Sequence, residues 1–123
     1  MEPDAPGRAV TSIGHRWRFY PTSRGRRPVD EFIKDLPDQD VAEIAGAMDE
    51  VRREGMSAAR HLRGDIYEVR ADAPRGSYRV LFSAEGKKGR ILLALVALSK
   101  KSQRTPPDAI ALAERRLRDR RLR

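Results

Sequence analysis

The chain has 123 residues, enough for one domain with a modest core, and its net charge of +8 favours an anionic partner: nucleic acid, a lipid surface or an acidic protein. Without cysteine it can form neither a disulfide framework nor a thiolate zinc site, and two histidines are too few for a histidine-rich metal centre, so we expect no metal or other cofactor. No apolar run is long enough to span a bilayer and the first residues lack the apolar core of an export signal, which predicts a cytoplasmic protein with no membrane partner.

The N-terminal segment predicts a tail followed by a first strand. Residues 1–14 mix proline, glycine and charge without periodicity, so we expect a disordered or frayed tail ahead of a single domain at residues 15–123. Basic and aromatic residues alternate from His15 to Tyr20, which is the pattern of a β-strand. We expect Trp17 and Tyr20 to be core or sheet-face aromatics.

Two helices are predicted after this strand. Pro28 lies where the first turn of a helix tolerates proline, and apolar residues at helical spacing continue from Val29 to Leu36. A second helix is predicted from Asp38, as its N-cap, to Gly55, where a glycine can end it. Its apolar stripe indicates one buried face, and its acidic residues cover the other.

Three further strands are predicted in the middle of the chain, at Asp65–Arg70, Tyr78–Phe82 and Ile91–Leu98. The last run lacks alternation, which suits a central strand that is buried on both faces. With the first strand, these elements predict an α+β fold: a small, mostly antiparallel four-stranded sheet with the two N-terminal helices packed on one face. The basic surface belongs to this half, since residues 56–104 carry eleven basic and four acidic residues.

The end of the chain predicts a third, C-terminal helix. Thr105 is expected to cap it, with Asp108 three residues on as in a capping box. One apolar stripe follows, made of Ile110, Ala113 and Leu117. The tail from Arg115 to Arg123 holds six arginines, which we interpret as a solvated helix face that attracts nucleic acid or an acidic partner over long range.

The two middle strands predict a hairpin with a defined register. If residues 73–76 form the loop, Arg70 lies directly opposite Arg79, and opposed residues share one face of the sheet. Glu68 and Leu81 would join the arginines on that face. The other face, toward the helices, would carry Tyr67, Val69, Val80 and Phe82.

Two opposed arginines repel each other unless an anion or an acid lies between them. Fixed positive charges clustered in this way suit a phosphate, and Lys100 and Lys101 after the third strand would add to them. The alternative is a solvated sheet face on which the first arginine of the pair is bound by Glu68 or Asp72.

Six motifs follow one another in a characteristic order: Trp17 to Tyr20, Pro28 to Phe32, His61 to Gly64, Tyr67 to Arg70, Tyr78 to Val80, and Lys100 to Pro106. In order and spacing they resemble the HigB branch of the RelE/ParE toxin superfamily, including its phage-derived members, over residues 16–116. The resemblance implies the toxin of a type II toxin–antitoxin system that acts as a ribosome-dependent, metal-independent mRNA endonuclease. It also implies a cognate HigA-like antitoxin with a helix-turn-helix domain. Operator DNA would then be bound only through the antitoxin.

The resemblance also implies where the active site lies. It maps the basic residues of the concave sheet face onto Arg70, Arg79 and Lys100 or Lys101. We expect surrounding residues to contact RNA, namely Arg60, His61, Arg63, Tyr67, Glu68, Tyr78 and Arg104. For the histidine, a solvated loop position is the favoured interpretation, and base stacking or phosphate binding is the alternative. The antitoxin is expected to contact this basic half, because an acidic or amphipathic segment there would neutralise charge and block RNA.

The implied reaction is attack of a 2′-hydroxyl on the adjacent phosphate, which leaves a cyclic phosphate and a free 5′-hydroxyl. It needs a base, an acid and a group that stabilises the added negative charge. The arginines suit the last role because they stay protonated, whereas Lys100, Lys101 or His61 could move the proton.

Two other functions stay open. One is a ParE-like toxin that inhibits gyrase. The other is an inert nucleic-acid-binding relic, which stays open because no tyrosine follows Tyr78.

Overall fold

The computed structural model describes residues 14–99 and 104–123. Its strands are β1 (Arg16–Phe19), β2 (Arg60–Arg63), β3 (Ile66–Ala73), β4 (Gly76–Glu85) and β5 (Ile91–Ser99). Its α-helices are α1 (Pro28–Lys34), α2 (Asp38–Glu54) and α3 (Pro107–Leu122). The tail predicted at residues 1–14 lies outside the described residues except for Gly14. In the described part of the chain, no helix combines the length and the apolar character that crossing a membrane requires.

The strands form one mixed sheet in the order β1-β5-β4-β3-β2. β1 pairs with β5 in parallel, and the other neighbouring pairs are antiparallel. The α+β class is therefore confirmed, but the prediction of four strands was wrong, because the described residues contain five. The additional strand, β2, has the polar sequence Arg-His-Leu-Arg, which carries no strand pattern, and its extended form comes from pairing with β3.

The two N-terminal helices cover one face of the sheet, as predicted. The buried core there joins Val29 of α1 and Ile44, Met48 and Val51 of α2 to Val69, Val80 and Phe82 of the sheet. The prediction of Asp38 as an N-cap was wrong: Pro37 precedes the helix, and no side chain caps its first turn. The carboxylate of Asp38 still stands in that turn, where negative charge is favourable. Gly55 ends α2 with a φ of +83°, a conformation that glycine adopts most easily.

The third helix covers part of the opposite face. Its predicted stripe is confirmed, since it buries Ala113 and Leu117 among Ile66, Leu81 and Leu93 and places Ile110 at the margin of that cluster. Because helices lie on both faces of β5, the five successive residues from Leu92 to Val96 are all buried, which confirms the prediction of a central strand.

The arginines of α3 attach this helix to the rest of the domain. Four of the six at residues 115–123 bind partners outside the helix: Arg116 to the Leu95 carbonyl at 2.7 Å, Arg120 to Glu85 at 3.3 Å, Arg121 to Asp65 at 3.2 Å, and Arg123 to the Pro21 carbonyl at 2.6 Å. For the partly buried Arg116 and Arg120 the interpretation as a solvated face was wrong, whereas Arg121 and Arg123 are exposed as expected, although each is bonded. Docking the apolar stripe brings the helix beside acids and carbonyls that are distant in the sequence.

A buried carboxylate on α2 holds the β3–β4 turn in place. Asp40 is 0% exposed; its Oδ2 accepts a hydrogen bond from the Tyr78 hydroxyl at 2.5 Å, and its Oδ1 accepts one from the Arg75 backbone N–H at 3.3 Å. The hydrogen bond to Asp40 raises the pKa of Tyr78. The helix is thereby bonded to the turn and to the strand residue that precedes Arg79.

We expect Asp40→Asn to lower the free energy of unfolding by about 1–3 kcal/mol, because the amide cannot replace both acceptor oxygens and leaves a buried polar group without its partner. Urea denaturation followed by circular dichroism measures the loss. Combining Asp40→Asn with Tyr78→Phe should cost less than the sum of the two single changes, since both remove the same bond. Glu43→Gln, on the exposed side of α2, is the control, and equal stability of the Asp40→Asn and Glu43→Gln variants would contradict the assignment.

Candidate functional site

The β3–β4 hairpin brings two arginines together on one face of the sheet. Arg70 lies directly opposite Arg79, and Glu68 lies opposite Leu81, which confirms the predicted register. Alternation along both strands turns these four residues toward the side that α3 partly covers. The hairpin register alone therefore places two guanidinium groups beside each other.

Glu68 supplies the negative charge between the two arginines. The residue is 1% exposed; its Oε1 accepts a hydrogen bond from Nε of Arg70 at 2.6 Å, and its Oε2 lies 4.0 Å from Nη1 of Arg79. Asp72, the other acid considered for the first arginine, accepts a hydrogen bond from Ser77 instead. One buried carboxylate thus offsets two positive charges, which lets the second arginine be buried as well.

Thr105 completes this buried network. Its hydroxyl donates a hydrogen bond to Oε2 of Glu68 and accepts one from Nη1 of Arg79 at 2.9 Å. The prediction that Thr105 caps the third helix was wrong, because Pro106 precedes α3 and no side chain, including Asp108, caps it. The hydroxyl points into the sheet and forms its bonds there, so the start of α3 is connected directly to the arginine pair.

The two arginines differ in how far solvent reaches them. Arg79 is 3% exposed, whereas the side chain of Arg70 is 30% exposed. Burial lowers the pKa of Arg79, Glu68 opposes that shift, and the charges of Arg70 and Arg60 add to it. A ligand that approaches this face can therefore reach Arg70, while Arg79 lies beneath it within the hydrogen-bond network.

Three other predicted RNA contacts belong to the same side of the molecule. Arg60 lies opposite Glu68 in the β2–β3 ladder and is exposed, and Arg104 is exposed directly before Thr105. Arg63 is also exposed and forms an ion pair with Glu114 of α3 at 2.7 Å. Together with Arg70, these residues give this side an exposed basic surface.

Three predicted RNA contacts lie on the opposite face, toward the helices. Tyr78 is buried and bonded to Asp40, so its hydroxyl belongs to the core. His61 and Tyr67 are paired in the β2–β3 ladder, with ring centroids 4.8 Å apart. The expectation of a loop position for His61 was wrong, because the residue belongs to β2, but the side chain is exposed to solvent as expected. Its Nε2 bonds the Gly64 carbonyl at 2.7 Å.

The predicted lysines Lys100 and Lys101 lie outside the described residues. The strand that precedes them ends at Ser99, which pairs with Tyr78, the neighbour of Arg79. Over residues 14–99 and 104–123, no group of three or more histidine, aspartate or glutamate residues could hold a metal ion.

Sequence reasoning missed the part that Thr105 plays in the arginine network. Its position before two prolines and a helix indicates a cap, and no local signal connects it to a strand residue 37 positions earlier. Asp40 was missed for a related reason, since it stands among exposed acids of an amphipathic helix and looks like one of them.

Comparison with known proteins shows the family to which the chain belongs. The family model described as "Phage derived protein Gp49-like (DUF891)" matches residues 31–118. The chain is also 36% identical over 101 residues to the "Probable endoribonuclease HigB1" of Mycobacterium tuberculosis, from strain CDC 1551 / Oshkosh and from strain ATCC 25618 / H37Rv. Each alignment covers 79% of this chain and 78% of the relative.

Removing the shared carboxylate should destabilise the protein strongly. We expect Glu68→Gln to cost about 3–5 kcal/mol of unfolding free energy, because Arg79 stays buried without a counter-charge. Glu114→Gln, which breaks the more exposed pair with Arg63, is the matched control and should change stability little. The buried-network assignment fails if urea denaturation finds the two variants equally stable.

Substitutions of Thr105 distinguish the contribution of its hydroxyl to stability from that of its side-chain volume. Thr105→Val keeps the volume but removes the bonds to Glu68 and Arg79, so we expect a loss of about 1–3 kcal/mol, whereas Thr105→Ser should restore most of the stability. Thermal or urea unfolding of both variants measures the difference. A valine variant as stable as the serine variant would show that the hydroxyl does not hold the network.

Proposed function

The chain belongs to the Gp49-like family of phage-derived proteins and is HigB-like, and on that premise we propose that it is a toxin that cleaves mRNA on the ribosome. In this proposal it is the toxin of a type II toxin–antitoxin system and needs no metal ion. The observation that carries the proposal is the partly exposed Arg70, held on a basic sheet face by the buried Glu68.

We assign different tasks to the two arginines. Arg70 is the phosphate-binding group, because its guanidinium is reachable from solvent and its Nε is already oriented by the bond to Glu68. Arg79 is a positioning residue, because it is buried and bonded to Thr105, and it acts on the substrate only through Glu68 and Arg70. Preorganised positive charge of this kind stabilises charge that develops in a transition state.

The proposed reaction divides into three tasks. A base takes the proton from the 2′-hydroxyl, the O2′–P bond forms, and negative charge on the phosphate grows beside Arg70. The P–O5′ bond then breaks, and the leaving 5′-oxygen takes up a proton, which gives a cyclic phosphate and a 5′-hydroxyl. We assign proton transfer to Lys100 or Lys101 rather than to His61, because His61 lies on the opposite face of the sheet from Arg70.

The same surface suits the proposed antitoxin. Arg60, Arg70 and Arg104 are reachable on one side of the molecule, where an acidic or amphipathic segment would neutralise charge and cover the path of RNA. In this proposal the antitoxin is HigA-like and carries the helix-turn-helix domain, so that operator DNA is bound through the antitoxin alone.

Substitution of Arg70 tests the phosphate-binding role. We expect Arg70→Ala to reduce cleavage of mRNA on purified ribosomes by roughly 100-fold or more, which corresponds to the loss of one group that stabilises an oxyanion. Arg75→Ala, at an exposed arginine in the loop of the same hairpin, is the control and should cleave normally. Primer extension measures the cuts, and a wild-type rate for the Arg70→Ala variant would contradict the assignment.

Expression in cells separates the proposal from its two rivals. Cuts in cellular mRNA after induction support the nuclease. Intact mRNA together with stalled replication would support a gyrase inhibitor, and normal growth would support an inert nucleic-acid-binding protein. A reading frame for a helix-turn-helix protein beside the gene would support the toxin–antitoxin arrangement.

A further inference from the structure

A second basic site lies at the opposite end of the sheet from Arg70. It is a cleft of about 260 Å³ between the start of β1 and the turn that joins β4 to β5. Three basic side chains line it, from Arg16, Lys87 and Arg90, and Ile91 is its one apolar lining side chain among the described residues. The backbone N–H of Arg16 donates to the Arg90 carbonyl at 2.9 Å, which fixes the two arginine-bearing segments relative to each other.

Among the described residues, no acid in the lining of this cleft balances its positive charge. In the described ranges, no carboxylate lines it, and its three cations form no ion pair. Glu85, the acidic residue nearest in sequence before the turn, is engaged by Arg120 at 3.3 Å. Like charges held together without a counter-ion raise the energy of the folded protein, so an anion bound there would lower it.

The turn itself displays lysine in an unusual conformation. Lys88 has a φ of +59°, the left-handed region that a residue with a Cβ rarely adopts, and it is flanked by Lys87 and by Gly89 at +65°. Glycine or asparagine would adopt this conformation at lower energy. A lysine kept exposed at such a position adds to the charge beside the cleft, and conformations of this kind are often found at functional sites.

The cleft is too far from Arg70 to belong to the same phosphate site. β5 begins at Ile91 beside the cleft, and its Leu98 pairs with Arg79. Seven residues of strand at about 3.4 Å per residue separate the two points by about 24 Å. A ligand that occupies both places is therefore a long polyanion. Arg18 extends the positive charge along the path of this ligand, because it is exposed on the edge strand β1, two residues beyond Arg16.

We propose that this cleft binds the phosphate backbone of RNA as a second contact, separate from the site of cleavage. This inference rests on the proposed function only because it takes RNA to be the anion that the cleft binds. An acidic protein segment fits less well, because an amphipathic partner needs apolar pockets, and Ile91 alone offers apolar surface among the described lining residues. A phosphate backbone needs only the fixed cations that the cleft presents.

A charge-matched pair of triple variants tests this site. The cleft variant carries Arg16→Gln, Lys87→Gln and Arg90→Gln. The control variant carries Arg24→Gln, Lys34→Gln and Arg53→Gln, which removes the same charge from exposed positions elsewhere. Binding of a 2′-O-methylated single-stranded RNA, which cannot be cleaved by attack of its own 2′-hydroxyl, is followed by fluorescence anisotropy over a series of salt concentrations.

We expect the cleft variant to bind more weakly at low salt and to reduce the slope of log affinity against log salt by about 2, since each phosphate contact on a single strand contributes about 0.7. The control variant should keep the wild-type slope. Equal losses of RNA affinity in both variants, or no loss in either, would overturn the proposal. It would also be overturned if poly-glutamate competed for the cleft as effectively as RNA does. Because binding is measured without cleavage, an inactive wild-type protein would refute the proposed function and leave this result standing.

Discussion

A buried carboxylate shared by two arginines is the interaction on which the rest of this structure depends. Glu68 on β3 is bonded to Arg70 on the same strand and to Thr105 before α3, and it faces Arg79 on β4. Breaking such a network by removing one member leaves a charge in a place that water cannot reach. The network therefore joins both strands of the hairpin to the C-terminal helix.

The hairpin that carries this network is held from both faces. On the face toward α2, Asp40 bonds the Tyr78 hydroxyl and the turn backbone, while on the other face Glu68 bonds the arginine system. Tyr78 and Arg79 are adjacent, so the two buried acids act on neighbouring residues of one strand. The position of Arg70 then follows from a rigid hairpin rather than from a flexible loop, as a preorganised binding group requires.

The arginines of this chain fall into groups with different physical tasks. Arg79 is buried and Arg116 is half-buried; both hold elements together, and burial lowers the pKa of each. Arg70 is partly exposed at the proposed phosphate site, and Arg16 and Arg90 line the cleft at the other end of the sheet. A net charge of +8 thus reflects both structural cations and candidate RNA contacts, and composition alone does not separate them.

The amino-acid sequence by itself determined the features that depend on local periodicity and turns: the strands β3 and β4 with Arg70 opposite Arg79, the helices, and the buried central strand. Only the tertiary structure decided that Arg79 is buried, that Thr105 bonds Glu68, and that α3 uses its arginines to dock. The tertiary structure also decided that β2 forms and that β1 pairs with β5 in parallel. Each of these joins residues far apart along the chain, and no short-range pattern specifies which distant groups will meet when the core closes.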